Sequence, residues 1–230
     1  MSVVAELTLV RHGQSTSNVA FPRADEQRLL ESGLTGPDTD VELSDLGREQ
    51  AAALGRWLAE LPAAHRPEVV VTSPYLRARE TWRIAAETSA LSLPSPTTDD
   101  RLVDRLMGDL EMLTAAAIEQ RFPEEARRRA EAGVYEYVPP NGESFVGIGD
   151  RLTSFLADLN ARHAGQRAIV VAHDAVVLMM RAVIEHLDWN EVAKIEAAGP
   201  VRNASVTRFD GSSGRLALDV YNSVDHLPGQ

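Results

Sequence analysis

The sequence has no cysteine, and Lys194 is the single lysine among its 23 basic residues. Without a thiol, the chain cannot form a disulfide, perform cysteine catalysis or bind zinc through sulfur. Long apolar stretches are also missing, since no run approaches the roughly 18 residues of a membrane-spanning helix, and we expect no such helix. Glu6 interrupts the first apolar run and no basic segment precedes it, so we expect no signal peptide and a cytoplasmic location.

Basic residues are also fewer than acidic residues. The 23 lysine and arginine residues stand against 34 acidic ones, which gives a formal net charge of −11. This balance argues against a general nucleic-acid binder, and we expect neither a nucleic-acid nor a membrane partner. It does not exclude a small anionic substrate, because a few clustered arginines can dominate one cleft. With 230 residues, 44% of them hydrophobic, the chain is long enough for one α/β domain with a substantial core.

Three short apolar runs rich in β-branched residues predict buried strands at residues 7–10, 69–72 and 168–172. Each run stops abruptly at polar residues, which are, in chain order, Arg11-His12-Gly13, Ser73-Pro74 and His173-Asp174. Because helical patterns separate the runs, the strands are predicted to be parallel, with their carboxyl ends at one edge of the sheet. Ligands of open α/β sheets bind in the crevice at that edge.

Helix starts are predicted from serine caps followed by apolar spacing. Ser44 and Ser144 are expected to cap two helices. Ser73 followed by Pro74 is expected to begin a third helix, because serine is a good cap and proline suits the first helical position. That helix carries Arg77 in its first turn, so the second strand also delivers an arginine near its carboxyl end.

The remaining segments are less regular. Residues 19–43 are polar and turn-rich, and we predict a long loop with a short helix at about 26–30. Residues 203–209 and 215–221 alternate around a glycine-rich turn, which predicts a C-terminal hairpin.

The segment at about 105–143 is interpreted as an insertion that covers the cleft. Within it, Arg127-Arg128-Arg129 is flanked by glutamates, which predicts a solvated, salt-bridged helix face. Glu111 is expected to be a surface charge.

The residues at the strand ends suit a bound phosphate. The guanidinium groups of Arg11 and Arg77 can each bind two oxygens and cannot lose their proton. His12 supplies a nucleophile or base, and His173 is expected to converge on the same crevice. The sequence therefore predicts a phosphate site built from two histidines and two arginines.

With these residues in place, the chain resembles the histidine phosphatase superfamily, the phosphoglycerate mutase-like proteins. The matching motifs follow the family order along nearly the whole chain and are Arg11-His12-Gly13-Gln14-Ser15-Thr16-Ser17-Asn18, Leu43-Ser44-Asp45-Leu46-Gly47-Arg48-Glu49-Gln50-Ala51, Thr72-Ser73-Pro74-Tyr75-Leu76-Arg77-Ala78, Pro140-Asn141-Gly142-Glu143-Ser144, His173 after Val170-Val171-Ala172, and Asn203-Ala204-Ser205-Val206. The resemblance implies a single domain over residues 1–230 with a phosphoglycerate mutase-like α/β fold, a three-layer α/β/α sandwich around a mostly parallel central sheet.

The resemblance also implies roles for these residues. Neutral His12 would attack phosphorus and form a phosphohistidine, with no metal and no other cofactor required. The other catalytic residues would be Arg11, Arg77, His173 and Asp104. The expected substrate-binding residues are Asn18, Ser15, Gln14 and Asp174.

Two carboxylates are candidates for the general acid that protonates the leaving oxygen. Many relatives carry a glutamate in an L-x-E-x-x-x-G segment, and Asp104 stands at that position here. Asp174 is the other candidate, because another branch of the superfamily uses the aspartate directly after the second histidine. Either residue would need a raised pKa. Asp174 has a structural alternative as the cap of the helix beginning at Ala175.

The function that the resemblance implies is hydrolysis of a small phosphorylated metabolite. Mutase-type phosphoryl transfer and a non-catalytic phosphate-binding role on the same fold are the alternatives. Mutases typically carry Y-G-x-L-Q-G and H-G-N segments, where this chain has Met107-Gly108-Asp109-Leu110-Glu111 and His173-Asp174-Ala175, and this difference favours a phosphatase. The metabolite and the oligomeric state are left open, a homodimer among the options.

Overall fold

A computed structural model describes residues 3–228 of the chain. The strands are β1 (Glu6–Arg11), β2 (Val69–Thr72), β3 (Thr97–Thr98), β4 (Arg167–Ala172), β5 (Val206–Asp210) and β6 (Ala217–Ser223). The helices are α1 (Thr16–Glu26), α2 (Asp45–Glu60), α3 (Leu76–Ser89), α4 (Ala115–Arg121), α5 (Pro123–Ala132), α6 (Phe145–His163), α7 (Asp174–Glu185) and α8 (Trp189–Ala198). None of the helices within these residues is long and apolar enough to cross a membrane.

The six strands form one sheet in the order β3-β2-β4-β1-β5-β6. The first four strands in this order are mutually parallel, and β5 runs antiparallel to both of its neighbours. The predicted mostly parallel sheet is therefore confirmed, and β5 with β6 forms the predicted C-terminal hairpin.

Alternate residues of the strands enter two different apolar layers. On one face, Val170 of β4 packs in a core cluster with residues of α6 and α7. On the other face, Ile169 and Val171 of β4 pack with residues of α2 and α3. Because both faces of a parallel strand are buried, the run 168–172 is continuously apolar rather than alternating. Helices cover both faces, so the three-layer α/β/α arrangement is confirmed.

The first helix differs from the prediction. We expected a loop over 19–43 with a short helix at 26–30, whereas α1 already occupies Thr16–Glu26. The Ser15 side chain caps α1 by accepting from the Asn18 N–H, and the Asn18 side chain accepts from the Ser15 N–H in return. Pro22 lies inside this helix. Because proline is unfavourable in a helix interior, its presence argued against a helix at this place in the sequence. Only residues 27–43 form the loop.

The start of α3 also differs from the prediction. Tyr75 rather than Ser73 occupies the N-cap position, and the helix begins at Leu76. The Ser73 hydroxyl is instead directed at His173, with its oxygen 2.8 Å from the imidazole Nε2. The expected caps Ser44 and Ser144 are both confirmed.

The segment 105–143 contains α4, α5 and irregular chain. On α5, Arg127 pairs with Glu124 and Arg128 pairs with Glu125, which confirms the salt-bridged face for these two arginines. Arg129 is different, because it makes no ion pair in the described part of the chain and lines the cavity at the strand ends.

Candidate active site

The three predicted strand ends meet at one edge of the sheet. Arg11 at the end of β1 pairs with Ala172 at the end of β4. The His12 N–H donates to the Ala172 carbonyl at 2.9 Å, and the Ser73 N–H donates to the Val171 carbonyl at 2.9 Å. His12, Ser73 and the residue after Ala172, which is His173, are therefore brought together by the register of neighbouring strands.

His12 is 2% exposed and has a defined tautomer. Its Nδ1 lies 2.7 Å from the Gly13 carbonyl oxygen, which can only accept, so Nδ1 carries the proton. The lone pair of Nε2 is then available to attack an electrophile. Burial lowers the pKa of His12 well below 6.5, and the neighbouring His173, Arg77 and Arg11 lower this pKa further. The imidazole is thus held in the neutral form that a nucleophile requires.

The turn after His12 requires glycine. A Cβ on Gly13 would lie 2.4 Å from the Gly47 carbonyl oxygen of α2, far inside van der Waals contact. The Gly13 N–H donates to Thr81 Oγ1 at 3.0 Å, and that hydroxyl donates to the Arg77 carbonyl at 2.7 Å. This chain of contacts connects the turn carrying His12 to the helix carrying Arg77.

His173 is fully buried beside His12, with the two ring centroids 5.2 Å apart. Its Nε2 is hydrogen-bonded to Ser73, and the edge of the Tyr75 ring packs against it at 5.1 Å. Its Nδ1 lies 3.3 Å from Asp104 Oδ2 but is not aligned for a hydrogen bond. Nδ1 is therefore a buried polar atom with no hydrogen-bond partner among the described residues.

The terminal nitrogens of Arg11 have protein partners, whereas its Nε has none among the described residues. Its guanidinium donates to the Val201 carbonyl and lies 3.4 Å from Asp174 Oδ2. Its Nε is buried and has no hydrogen-bond partner within residues 3–228. A buried donor without a partner is costly in a folded protein, so it marks a place where a ligand acceptor fits.

Arg77 is bound by two carboxylates. One terminal nitrogen donates to the Asp38 carbonyl oxygen at 2.8 Å and to Asp38 Oδ1 at 2.9 Å. The other donates to Asp38 Oδ2 at 3.0 Å and to Asp104 Oδ2 at 2.9 Å. Burial acts to lower the pKa of Arg77, but Asp104 and Asp38 outweigh it and raise the pKa. Asp38, which lies in the loop between α1 and α2, was not predicted from the sequence.

The two acid candidates have different surroundings. Burial acts to raise the pKa of Asp104, but contacts with His173 and Arg77 prevail and hold this pKa well below 3.8. The raised pKa expected for Asp104 is therefore wrong for this geometry. Asp174 is 46% exposed, pairs with Arg11 and is the first residue of α7. Its Oδ1 also accepts from the N–H of the next residue, Ala175, but His173 occupies the N-cap position and α7 begins at Asp174, so the helix-capping alternative is wrong.

The predicted substrate-binding residues fall into two groups. Asn18 lines the cavity, and its described side-chain hydrogen bonds all use Oδ1, which leaves the two N–H donors of the side-chain amide for a ligand. Ser15 is fully buried as the cap of α1, and Gln14 is bonded to Ser44 and Gln50. Neither of these two side chains lines the cavity, so their structural role is to build the turn.

The cavity at the sheet edge has a volume of about 370 Å³. Its inner part is formed by Arg11, His12, Arg77 and Asp104, together with the missed residue Asp38. The segment 105–143 supplies much of the outer part, including Arg105, Glu111 and Arg129. Glu111 is therefore a cavity residue, contrary to the expectation of a plain surface charge, and the three-residue spacing from Gly108 gave no indication of this.

Arg105 and Arg129 form a second basic region of the cavity. The Arg105 guanidinium donates to the Tyr137 and Glu143 carbonyls and stacks over the Phe145 ring at 4.6 Å. Burial lowers the pKa of Arg105, and the nearby charge of Arg129 lowers this pKa further.

Fold and site together define an α/β protein with a histidine–arginine cluster at the carboxyl edge of its sheet. The family model of the histidine phosphatase superfamily (branch 1) matches residues 7–224. The chain therefore belongs to the histidine phosphatase superfamily.

Individual relatives within the superfamily have different names. The chain is 28% identical to the metal-independent phosphoserine phosphatase of Arabidopsis thaliana, over 98% of this chain and 84% of the relative. It is 29% identical to the 2,3-bisphosphoglycerate-dependent phosphoglycerate mutase 2 of Gloeobacter violaceus, over 94% of this chain and 91% of the relative. The solved structure of mycobacterial glucosyl-3-phosphoglycerate phosphatase with VO3 superposes with a TM-score of 0.72 at 30% identity, covering 96% of this chain and all of that one.

Proposed function

We propose that this protein is a metal-independent phosphomonoesterase that hydrolyses a small phosphorylated metabolite through a phosphohistidine on His12. The observation that supports this most directly is a set of three side-chain nitrogens in one site that have no hydrogen-bond partner among the described residues. His12 Nε2 keeps a free lone pair, while Arg11 Nε and His173 Nδ1 are buried without partners among the described residues. A tetrahedral phosphoryl group offers both the electrophilic phosphorus and the acceptor oxygens that these atoms lack.

In the first step, His12 Nε2 attacks phosphorus while the bond from phosphorus to the ester oxygen breaks. Arg11, His173 and the Asn18 amide hold the non-bridging oxygens, and charge building up on these oxygens is stabilised by the fixed donors. Arg77 joins them where its guanidinium is released from carboxylate contacts. The products of this step are the phosphohistidine and the leaving alcohol.

The leaving oxygen needs a proton, and we assign Asp104 as its donor. Asp104 is kept ionised by His173 and Arg77. A phosphoryl dianion bound to those same two residues places negative charge beside the Asp104 carboxylate, so substrate binding raises the pKa of Asp104. General acid catalysis of this kind contributes about 10²–10⁴ in rate.

In the second step, water attacks the phosphohistidine, the bond from nitrogen to phosphorus breaks and inorganic phosphate leaves. Asp104, now ionised after giving up its proton, accepts the proton of this water. His12 returns to its neutral state, which its lowered pKa favours.

The experiment that tests this function is hydrolysis of p-nitrophenyl phosphate in excess EDTA. We compare the wild type with His12→Ala and with His65→Ala, a matched control because the His65 side chain is 55% exposed and, in the part of the chain that the structure describes, pairs only with Glu6. Activity should survive EDTA and His65→Ala and be lost in His12→Ala. Activity that depends on a metal, or that His12→Ala retains, would refute the proposal, while phosphoglycerate isomerisation without hydrolysis would identify a mutase.

A further inference from the structure

Ser73 and His173 form a hydrogen bond in the interior of the site, where both side chains are fully buried. The Ser73 hydroxyl oxygen lies 2.8 Å from the imidazole Nε2. The sheet itself builds this contact, because the Ser73 N–H continues the pairing of β2 with β4 by donating to the Val171 carbonyl. The hydroxyl is therefore held at a fixed place beside the strand that leads to His173.

The other contact of the hydroxyl decides which of the two atoms donates. The Tyr75 N–H donates to Ser73 Oγ at 3.3 Å, which uses an oxygen lone pair and leaves the hydroxyl proton free. Within residues 3–228, His173 Nε2 is the one acceptor that this proton has. A hydroxyl that donates to Nε2 requires Nε2 to be unprotonated, so the neutral ring carries its proton on Nδ1.

We propose that Ser73 is a positioning residue that fixes His173 as the Nδ1–H tautomer and directs this N–H to a phosphoryl oxygen. The inference rests on the proposed function, because it needs a phosphoryl group beside His12. Among the described residues, Nδ1 is the ring nitrogen of His173 that has no hydrogen-bond partner, and the centroid of the His173 ring lies 5.2 Å from that of the nucleophile His12. With the other tautomer, His173 would present a lone pair to the phosphoryl oxygens, and the two would repel each other.

Ser73, His173 and Asp104 together resemble the arrangement of a serine hydrolase, but the role of the serine is different. A nucleophilic serine must face the substrate. The Ser73 hydroxyl is bonded to His173 Nε2 and to the Tyr75 N–H, whereas His12 lines the cavity with a free Nε2 lone pair. Ser73 therefore acts through His173 and does not attack phosphorus.

The test combines nitrogen NMR of the histidine rings with steady-state kinetics. Long-range proton–nitrogen spectra of the full-length, ¹⁵N-histidine-labelled protein at alkaline pH distinguish the two tautomers, and the resonance missing in His173→Gln assigns the ring. The variants are Ser73→Ala and Ser73→Thr. Ser89→Ala is the matched control, because Ser89 is also a buried serine and is the last residue of α3. Like the Ser73 hydroxyl, the Ser89 hydroxyl accepts from the N–H of the residue two positions later in the chain, which is Leu91.

We expect a protonated Nδ1 in the wild type, in Ser73→Thr and in Ser89→Ala. In Ser73→Ala we expect Nε2–H to appear and kcat for p-nitrophenyl phosphate to fall at least tenfold with little change in KM, while Ser73→Thr restores kcat to within about threefold. A wild-type ring protonated on Nε2, or a Ser73→Ala protein with unchanged tautomer or unchanged kcat, would overturn the inference. An inactive wild type would instead refute the proposed function, and its histidine spectrum would still decide the direction of the hydrogen bond.

Discussion

Asp38→Asn should strengthen the binding of inorganic phosphate. Asp38 occupies three of the four terminal hydrogen bonds of Arg77, through its carbonyl oxygen and both carboxylate oxygens. Arg77 is 4% exposed at its side chain, so a phosphoryl group can reach these donors only by displacing the carboxylate. Asparagine keeps the carbonyl contact and one acceptor, but it removes the negative charge and one charged hydrogen bond.

The magnitude follows from that loss. A hydrogen bond between charged groups is worth about 1.5–3 kcal/mol, and phosphate no longer competes against it in the variant. The dissociation constant of phosphate should therefore fall by roughly 10- to 100-fold. The same substitution should lower the free energy of unfolding, because it removes one of the two carboxylates that pair with Arg77 among the described residues and leaves Asp104.

Isothermal titration calorimetry with inorganic phosphate measures this effect without reference to turnover. Asp40→Asn is the matched control, because Asp40 lies on the same short turn and its side chain bonds, within residues 3–228, only to Thr39. We expect the control to bind phosphate as the wild type does. Weaker phosphate binding in Asp38→Asn would refute the reasoning, since it would mean that Asp38 holds Arg77 in its binding position rather than competing for it.

Three further predictions concern pH, the outer cavity and the turn. The lowered pKa of His12 means that the folded protein binds this proton less readily than the unfolded chain, so the free energy of unfolding should fall as pH drops below 6.5. The acid limb of a kcat/KM profile should also lie below pH 6.5, and a limb above pH 6.5 would contradict this prediction. Arg129→Gln should raise KM roughly tenfold for substrates with a second anionic group but leave p-nitrophenyl phosphate unaffected, with Arg127→Gln as the inert control. Gly13→Ala should lower the free energy of unfolding in urea by about 1–3 kcal/mol or more, and an unchanged midpoint would mean that the Gly47 carbonyl yields easily.

The sequence was most informative where local pattern and sheet topology point to the same place. Apolar runs that stop at Arg11-His12 and at His173 are readable without any structure, and parallel strands bring their ends together. The cluster of two histidines and two arginines could therefore be predicted. Asp38, the carboxylate that competes with phosphate for Arg77, could not be predicted, because the contact between Asp38 and Arg77 spans 39 residues and depends on how one loop folds back.

Two local predictions were wrong because of contacts between residues far apart in the sequence. Ser73 before Pro74 is a good helix-start pattern, but a buried imidazole 2.8 Å away bound its hydroxyl instead. The general-acid role calls for a raised pKa at Asp104, but two basic groups touch the same carboxylate oxygen and hold this pKa low. In both cases a tertiary contact outweighed a local preference.

The central claim is the phosphohistidine on His12, and trapping it tests that claim most directly. The protein is mixed with p-nitrophenyl phosphate in EDTA, quenched in base during turnover and digested for mass spectrometry. We predict an acid-labile phosphoryl group on the peptide that contains His12, present in Ser89→Ala and absent from His12→Ala. An acid-stable phosphoryl group on Ser73, or turnover with no phosphorylated His12 at any time, would contradict the account.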